Sequence, residues 1–176
     1  RHSIVSRLML GILIPYGNSE GTDVPFIKRF TLGGPNSMRA WNLRYLGPAD
    51  QAATPGAEFQ MGDLRFEFNS EYRFMFSSWF GGAFFVDVGN IWLLNTHNAS
   101  TTLPYQNPKT GVLTDKFYEQ LAVGAGLGLR VDLSFFIFRF DFAMQLREPQ
   151  GYRIKDNGTV QYWNFDPFVI EDRFKF

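Results

Sequence analysis

The sequence predicts an all-β protein: an antiparallel β-barrel that crosses a membrane. Three observations predict it. Apolar and polar residues alternate with period two through several stretches. The connections between those stretches are long and short by turns. Phenylalanine occurs 20 times in 176 residues and aromatics reach 18%, an unusual load for a soluble domain, where all of it must be buried.

The elements follow in chain order. "HSIVSRLML" already alternates, and its stripe continues through Leu8, Leu10, Ile12 and Ile14. Between 64 and 76 one face reads Leu64, Phe66, Phe68, Ser70, Tyr72, Phe74, Phe76, and the other Arg65, Glu67, Asn69, Glu71, Arg73, Met75. Phe80, Phe84, Val86, Val88 and Trp92 form a further stripe, with Asp87 on its polar side. The segment 121–131 alternates Leu121, Val123, Ala125, Leu127, Leu129 with a face holding Gly124, Gly126 and Gly128, which thin the wall, bend it or receive a neighbour. The segment 134–147 carries Phe136, Phe138, Phe140, Phe142 and Met144 on one side. Phe168, Ile170, Phe174 and Phe176 close the series, giving about six strands. Several reach the roughly nine to eleven residues that a tilted strand needs to span a bilayer.

The connections read as a long loop at about 17–61, a tight turn near Ser77-Ser78, a long loop at about 94–116, a tight turn around Asp132, and a long loop at about 148–166. Alternating short and long connections are how outer-membrane barrels are built. A soluble sandwich or lipocalin, binding a small apolar ligand, is the competing architecture. Glycines and paired charges together on the polar face weigh against it.

Composition narrows the function classes. Lys+Arg and Asp+Glu both total 17, and a zero net charge argues against nucleic-acid binding. Cysteine is absent, so there is no disulfide, thiolate metal site or cysteine nucleophile. His2 and His97 are the only histidines. Neither is placed for a Ser-His-Asp site, and neither a metal cluster nor a phosphate-cradling glycine motif stands out. The expectation is therefore no enzyme, no cofactor and no metal. No run of about 18 apolar residues predicts a membrane-spanning helix. The chain opens inside a strand pattern without a secretory signal, so a fragment or processed product is expected.

"GGPNSMRAW" (33–41) followed by "FFVDVGNIW" (84–92) resembles the C-terminal barrel of the BamA/TamA superfamily of outer-membrane assembly factors, the bacterial surface antigen family. In that family a long extracellular loop folds back into the lumen, and its tip carries an Arg-Gly-aromatic motif after Gly-Gly and Ser. Gly33, Gly34, Ser37, Arg39 and Trp41 match, whereas Ala40 stands where the family has glycine. The resemblance implies that Arg39 latches the loop to Asp87, in a Phe-x-Asp-x-Gly strand motif formed by Phe85, Asp87 and Gly89, joined by a glutamate that Glu71 matches best and Glu67 second. Physical reasoning agrees. A cation desolvated inside a barrel needs a fixed anion, and a planar guanidinium can engage a carboxylate twice.

The resemblance further implies a sixteen-stranded barrel of which residues 1–176 supply about the last six strands, with the N-terminal strands and POTRA repeats absent. Phe168, Ile170, Phe174 and Phe176 then form a C-terminal strand signal, although Asp172 and a missing glycine depart from pattern. The implied function is folding and inserting β-barrel proteins into the bacterial outer membrane. The implied partners are membrane lipid, nascent barrel proteins and accessory lipoproteins. A two-partner secretion pore, or the anchoring barrel of a fused patatin-like enzyme, are the alternatives.

Overall fold

The computed structural model describes residues 2–17, 24–49, 60–94, 111–133, 135–149, 153–154 and 160–164. Its core is a five-stranded antiparallel sheet: β1 (His2–Ile12), β2 (Leu64–Met75), β3 (Phe80–Trp92), β4 (Ala122–Asp132) and β5 (Ile137–Arg147). Neighbours in sequence are neighbours in space. A two-residue ribbon, β6 (Arg153–Ile154) with β7 (Val160–Gln161), lies in the last long connection and is too short for periodicity to reveal. Among the described residues no helix is long and apolar enough to cross a membrane.

Past β7, pairing with β5 begins. Glu148 N donates to Tyr162 O at 3.0 Å, Asn164 N to Leu146 O at 2.8 Å, and Arg147 bridges Trp163. The expected final strand, with Phe168, Ile170, Phe174 and Phe176, lies outside the described residues, as does His97.

Four strand positions match the periodicity closely, and β5 is shorter at its start. Alternation predicts a strand from residue 134, but 135 and 136 belong to the turn and the strand begins at Ile137. Leu133, Phe135 and Phe136 look like strand because the turn itself is oily. Asp132, expected at the turn, is the last residue of β4.

The two faces invert the arrangement of a soluble sheet. Leu10 is 71% exposed, Phe84 53% and Phe142 65%, while Glu67 and Asp87 are wholly buried. The phenylalanine stripes do not pack against one another around a dry centre. Apolar outside and charged inside is the pattern of a membrane barrel wall, and β1 is unpaired along its outer edge among the described residues. Lipid tolerates no open edge, so the sheet is an arc of a larger barrel.

Register places the inner face in rows. Arg7, Asn69, Asp87, Gly124 and Gln145 face one another across five strands. The adjacent row is Val5, Glu71, Phe85, Gly126 and Ala143. A one-residue slip of any strand would turn its members outward into lipid.

The connection between β1 and β2 folds onto this inner face. It is stitched by bridges Phe30–Gly62 and Leu32–Leu46, and Ala49 N donates to Ile91 O at 2.7 Å. Leu32, Met38, Trp41 and Leu46 of the loop bury against Ile91 and Ala122 of the wall. The molecule's apolar core therefore lies between loop and wall, inside the barrel.

Candidate functional site

The loop tip is a closed turn before it meets anything. Gly34 N donates to Trp41 O at 3.0 Å, Ser37 N to Gly34 O at 3.0 Å and Trp41 N to Met38 O at 3.1 Å. Gly33 and Gly34 have φ of 113° and 100°, a region that side chains rarely occupy. A Cβ on Gly33 would also come within 2.3 Å of Asn42 O. The glycine pair thus sets the turn that presents residues 36–40 to the wall.

Arg39 sits at the tip with a side chain only 6% exposed, against 1% for Asp87 and 11% for Glu71. Its Nε donates to Asp87 Oδ2 at 2.9 Å and its Nη2 to Asp87 Oδ1 at 2.8 Å, a two-pronged contact. The backbone N of Arg39 adds a third bond to Asp87 Oδ2 at 3.1 Å. Nη1 donates to Glu71 Oε2 at 2.9 Å. The guanidinium carbon lies 3.4 Å above the centre of the Phe85 ring, within cation–π range. Burial lowers the affinity of Arg39 for its proton, but the bonds and charges of Asp87, then Glu71, outweigh it and hold its pKa above the ordinary value. A raised arginine pKa means the cation persists below its already alkaline titration, so Arg39 is a permanent charge and not a pH switch.

The wall also binds the tip's main chain. Asn69 Nδ2 donates to Ser37 O and to Asp87 Oδ1, each at 2.9 Å. Gln145 Nε2 donates to Ala40 O at 2.9 Å, and Arg7 Nη2 to Asn36 O at 2.7 Å. Ser37 Oγ donates to Glu67 Oε2 at 3.1 Å. Glu67 is further paired with Arg7 and Arg65. Around Glu71 stand two more cations: Arg73 Nε at 2.7 Å and Arg139 Nη2 at 3.5 Å.

The glycine row of β4 makes the fit. A Cβ on Gly126 would meet Phe142 O at 2.1 Å and Phe85 Cζ at 2.4 Å. Phe85 therefore lies flat over β4 and offers its face to Arg39. A Cβ on Gly124 would come 3.0 Å from Ala40 Cβ and 3.1 Å from Trp41 Cζ3. Of the three roles open to these glycines, receiving a neighbour is the one the packing uses. Ala40 does not have positive φ, so replacing the usual glycine costs no backbone strain, and its methyl seats over Gly124.

Arg39, Asp87, Glu71, Ser37 and Trp41 thus converge, with Gly33 and Gly34 shaping the turn and Gly89 beside Leu32 in the wall. Arg7, Gln145 and the ring of Phe85 also belong to the site, and sequence patterning did not single out their contacts. Nothing local to Arg7 or Gln145 marks them. Only the five-strand register brings them to the tip. Among the described residues no group of three His, Cys, Asp or Glu side chains is arranged to hold a metal.

Comparison with known proteins adds two findings. The family model described as the Omp85 superfamily domain matches residues 1–176. Among solved structures, the chain is similar to the crystal structure of BamA from Haemophilus ducreyi lacking POTRA domains 1-3. The TM-score is 0.61 at 17% identity, covering 92% of this chain and 30% of that one. The chain thus spans less than a third of that structure. No protein with a curated description matches.

Proposed function

This chain belongs to the Omp85 superfamily, and from that premise we propose that it is the C-terminal part of a non-enzymatic outer-membrane barrel that folds and inserts other β-barrel proteins. Its surroundings are then the lipid of a bacterial outer membrane, and its clients nascent barrel proteins, with accessory lipoproteins as further partners. The observation that carries the reading is the Arg39 clamp. A wall that templates strands at its edges has to keep its own register, and the infolded loop ties β1, β2, β3 and β5 together from inside through Arg7, Asn69, Asp87 and Gln145. Clamping four strands onto one rigid tip opposes the slippage that an open edge invites. The incoming strand would be taken up by β-augmentation at the barrel seam, at residues 168–176 in this reading.

In this reading Arg39, Asp87 and Glu71 act as a latch. Gly33, Gly34, Ser37, Trp41 and Gly89 shape and seat the tip. The test is client insertion by the full-length protein in liposomes, followed by the heat-resistant migration of a urea-unfolded barrel substrate. The wild type should accelerate insertion, and Arg39→Ala should slow it while the barrel stays folded. Export of a separate partner without faster insertion would replace this function with a secretion pore. A hydrolase preceding residue 1 would make the chain an anchor.

A further inference from the structure

Below the latch, toward the short turns, the inner wall turns cationic. Between the loop tip and strands β1, β2 and β5 lies a cavity of about 290 Å³, at the lower edge of the roughly 300–1,000 Å³ of ligand-sized sites. Four guanidiniums line it, those of Arg7, Arg39, Arg73 and Arg139, with a single carboxylate, Glu71. The balancing anions stand behind these cations. Glu67 and Asp87 are buried, whereas the side chains of Arg7, Arg73 and Arg139 are 46%, 34% and 36% exposed. Glu71 is shared, with Arg39 and Arg139 on Oε2 and Arg73 on Oε1. Arg73 meets it through Nε, and neither Nη atom of Arg73 has a hydrogen-bond partner among the described residues. Arg130 extends the patch. It stands directly opposite Arg139 on the neighbouring strand, and shares with Arg73 and Arg139 a shallow dish floored by Gly81 and Gly128. Among the described residues Arg130 has neither a hydrogen bond nor an ion pair, and Asp132, next on the same face, does not pair with it. Like charges directly opposite destabilise a strand pair, a cost that an anion between them would remove.

We propose that this patch docks an acidic stretch of a separate polypeptide, which enters the lumen from the short-turn end and meets the guanidiniums through its carboxylates. Charge complementarity makes the choice of occupant. The inner wall faces the aqueous lumen, so a lipid phosphate has no route to it through the hydrocarbon. A side-chain carboxylate fits the planar fork of a guanidinium, and the wall already joins Asp87 to Arg39 in that way. A cleft lined by one sign of charge also concentrates the opposite sign before contact, which draws an acidic segment in. Inside, the segment would end against the loop tip at Asn36 and Ser37. The site requires the barrel alone and not the insertion of clients, so it stands or falls separately from that activity.

The test uses the full-length protein in nanodiscs and a rhodamine-labelled hexaglutamate peptide, followed by fluorescence anisotropy at low salt, with labelled hexaglutamine as the control. Hexaglutamate should bind, hexaglutamine should not, and added salt should weaken binding by screening. Arg73→Gln/Arg139→Gln should weaken it about tenfold or more, because charge-assisted bonds are lost. That pair also supports Glu71, so Arg130→Gln supplies the cleaner reading. Arg130 has no described partner to lose, and a weakening of about twofold to fivefold is expected there with heat-resistant migration unchanged. Lys116→Gln, on the loop between β3 and β4, should bind the peptide as the wild type does. Hexaglutamate binding no better than hexaglutamine would overturn the proposal, whether the patch is merely solvated or is filled by the protein's own chain. Equal affinity in the wild type and the arginine variants would overturn it, as would an equal loss in Lys116→Gln.

Discussion

Two loops close over this wall, and they are fastened by different chemistry. The tip at 33–41 is held by a buried cation on buried anions: Arg39 on Asp87 and Glu71. The segment 111–121 is held by neutral amides together with the Arg147 guanidinium, which donates to the backbone oxygens of Leu121 and Glu119 and to no carboxylate there. Gln120 Oε1 accepts from Trp92 Nε1, Gln120 Nε2 donates to Val112 O at 3.1 Å, and Asn90 Nδ2 donates to Gln120 O. The difference teaches what each fastening does when it fails. A neutral amide that loses one partner leaves one unmet hydrogen bond. A buried ion pair that loses one partner leaves a charge whose desolvation is no longer fully compensated, which costs more. The first loop is thus the all-or-none element, and the second the yielding one.

The comparison can be broken by substitution, taking the largest expected effect first. Asp87→Ala should destabilise the full-length barrel by about 3–5 kcal/mol, because Arg39 keeps Glu71 but loses its two-pronged, fully buried partner. Urea unfolding followed by tryptophan fluorescence measures it. Arg39→Lys keeps the charge but cannot span both carboxylate oxygens or lie flat on Phe85, so a loss of about 1.5–3 kcal/mol is expected from the same transition. Gln120→Ala leaves the Trp92 N–H unmet, and about 1–3 kcal/mol should be lost. Hydrogen exchange should show that loss confined to 111–121. Glu71→Gln should cost least, about 1 kcal/mol, because Arg39 retains Asp87 and the other two partners, Arg73 and Arg139, are about one-third exposed. A Glu71→Gln effect equal to that of Asp87→Ala would mean the two anions share the latch evenly, and the asymmetry drawn here would be gone.

How much of this was legible in the sequence follows from the range of each interaction. Strands β1 to β4 were, because membrane alternation is local: Phe66, Phe68, Tyr72 and Phe74 announce β2 without reference to any other element. The start of β5 was not, since Phe135 and Phe136 sit in an oily turn that alternation cannot tell from strand. Arg39 among Gly33, Gly34 and Trp41 was visible as a motif, and Asp87 as its counterpart, because both lie in distinctive local contexts. Arg7 and Gln145 were invisible, being set by register across β1–β2 and β4–β5, a property no window of sequence contains. Gly124 and Gly126 fall between these cases. Their period was plain, but which neighbour they receive depends on Ala40 and Phe85, far away along the chain.

The central claim, that the infolded tip and the inner wall are joined through one guanidinium and one carboxylate, is tested most directly by a double-mutant cycle. Unfolding free energies of the full-length wild type, Arg39→Ala, Asp87→Ala and the double variant would be measured under one set of conditions. The account predicts that the double variant is scarcely less stable than Asp87→Ala alone, with a coupling at or above the upper end of the roughly 0.5–3 kcal/mol seen for contacting pairs. Losses that simply add, to within about 0.5 kcal/mol, would contradict it.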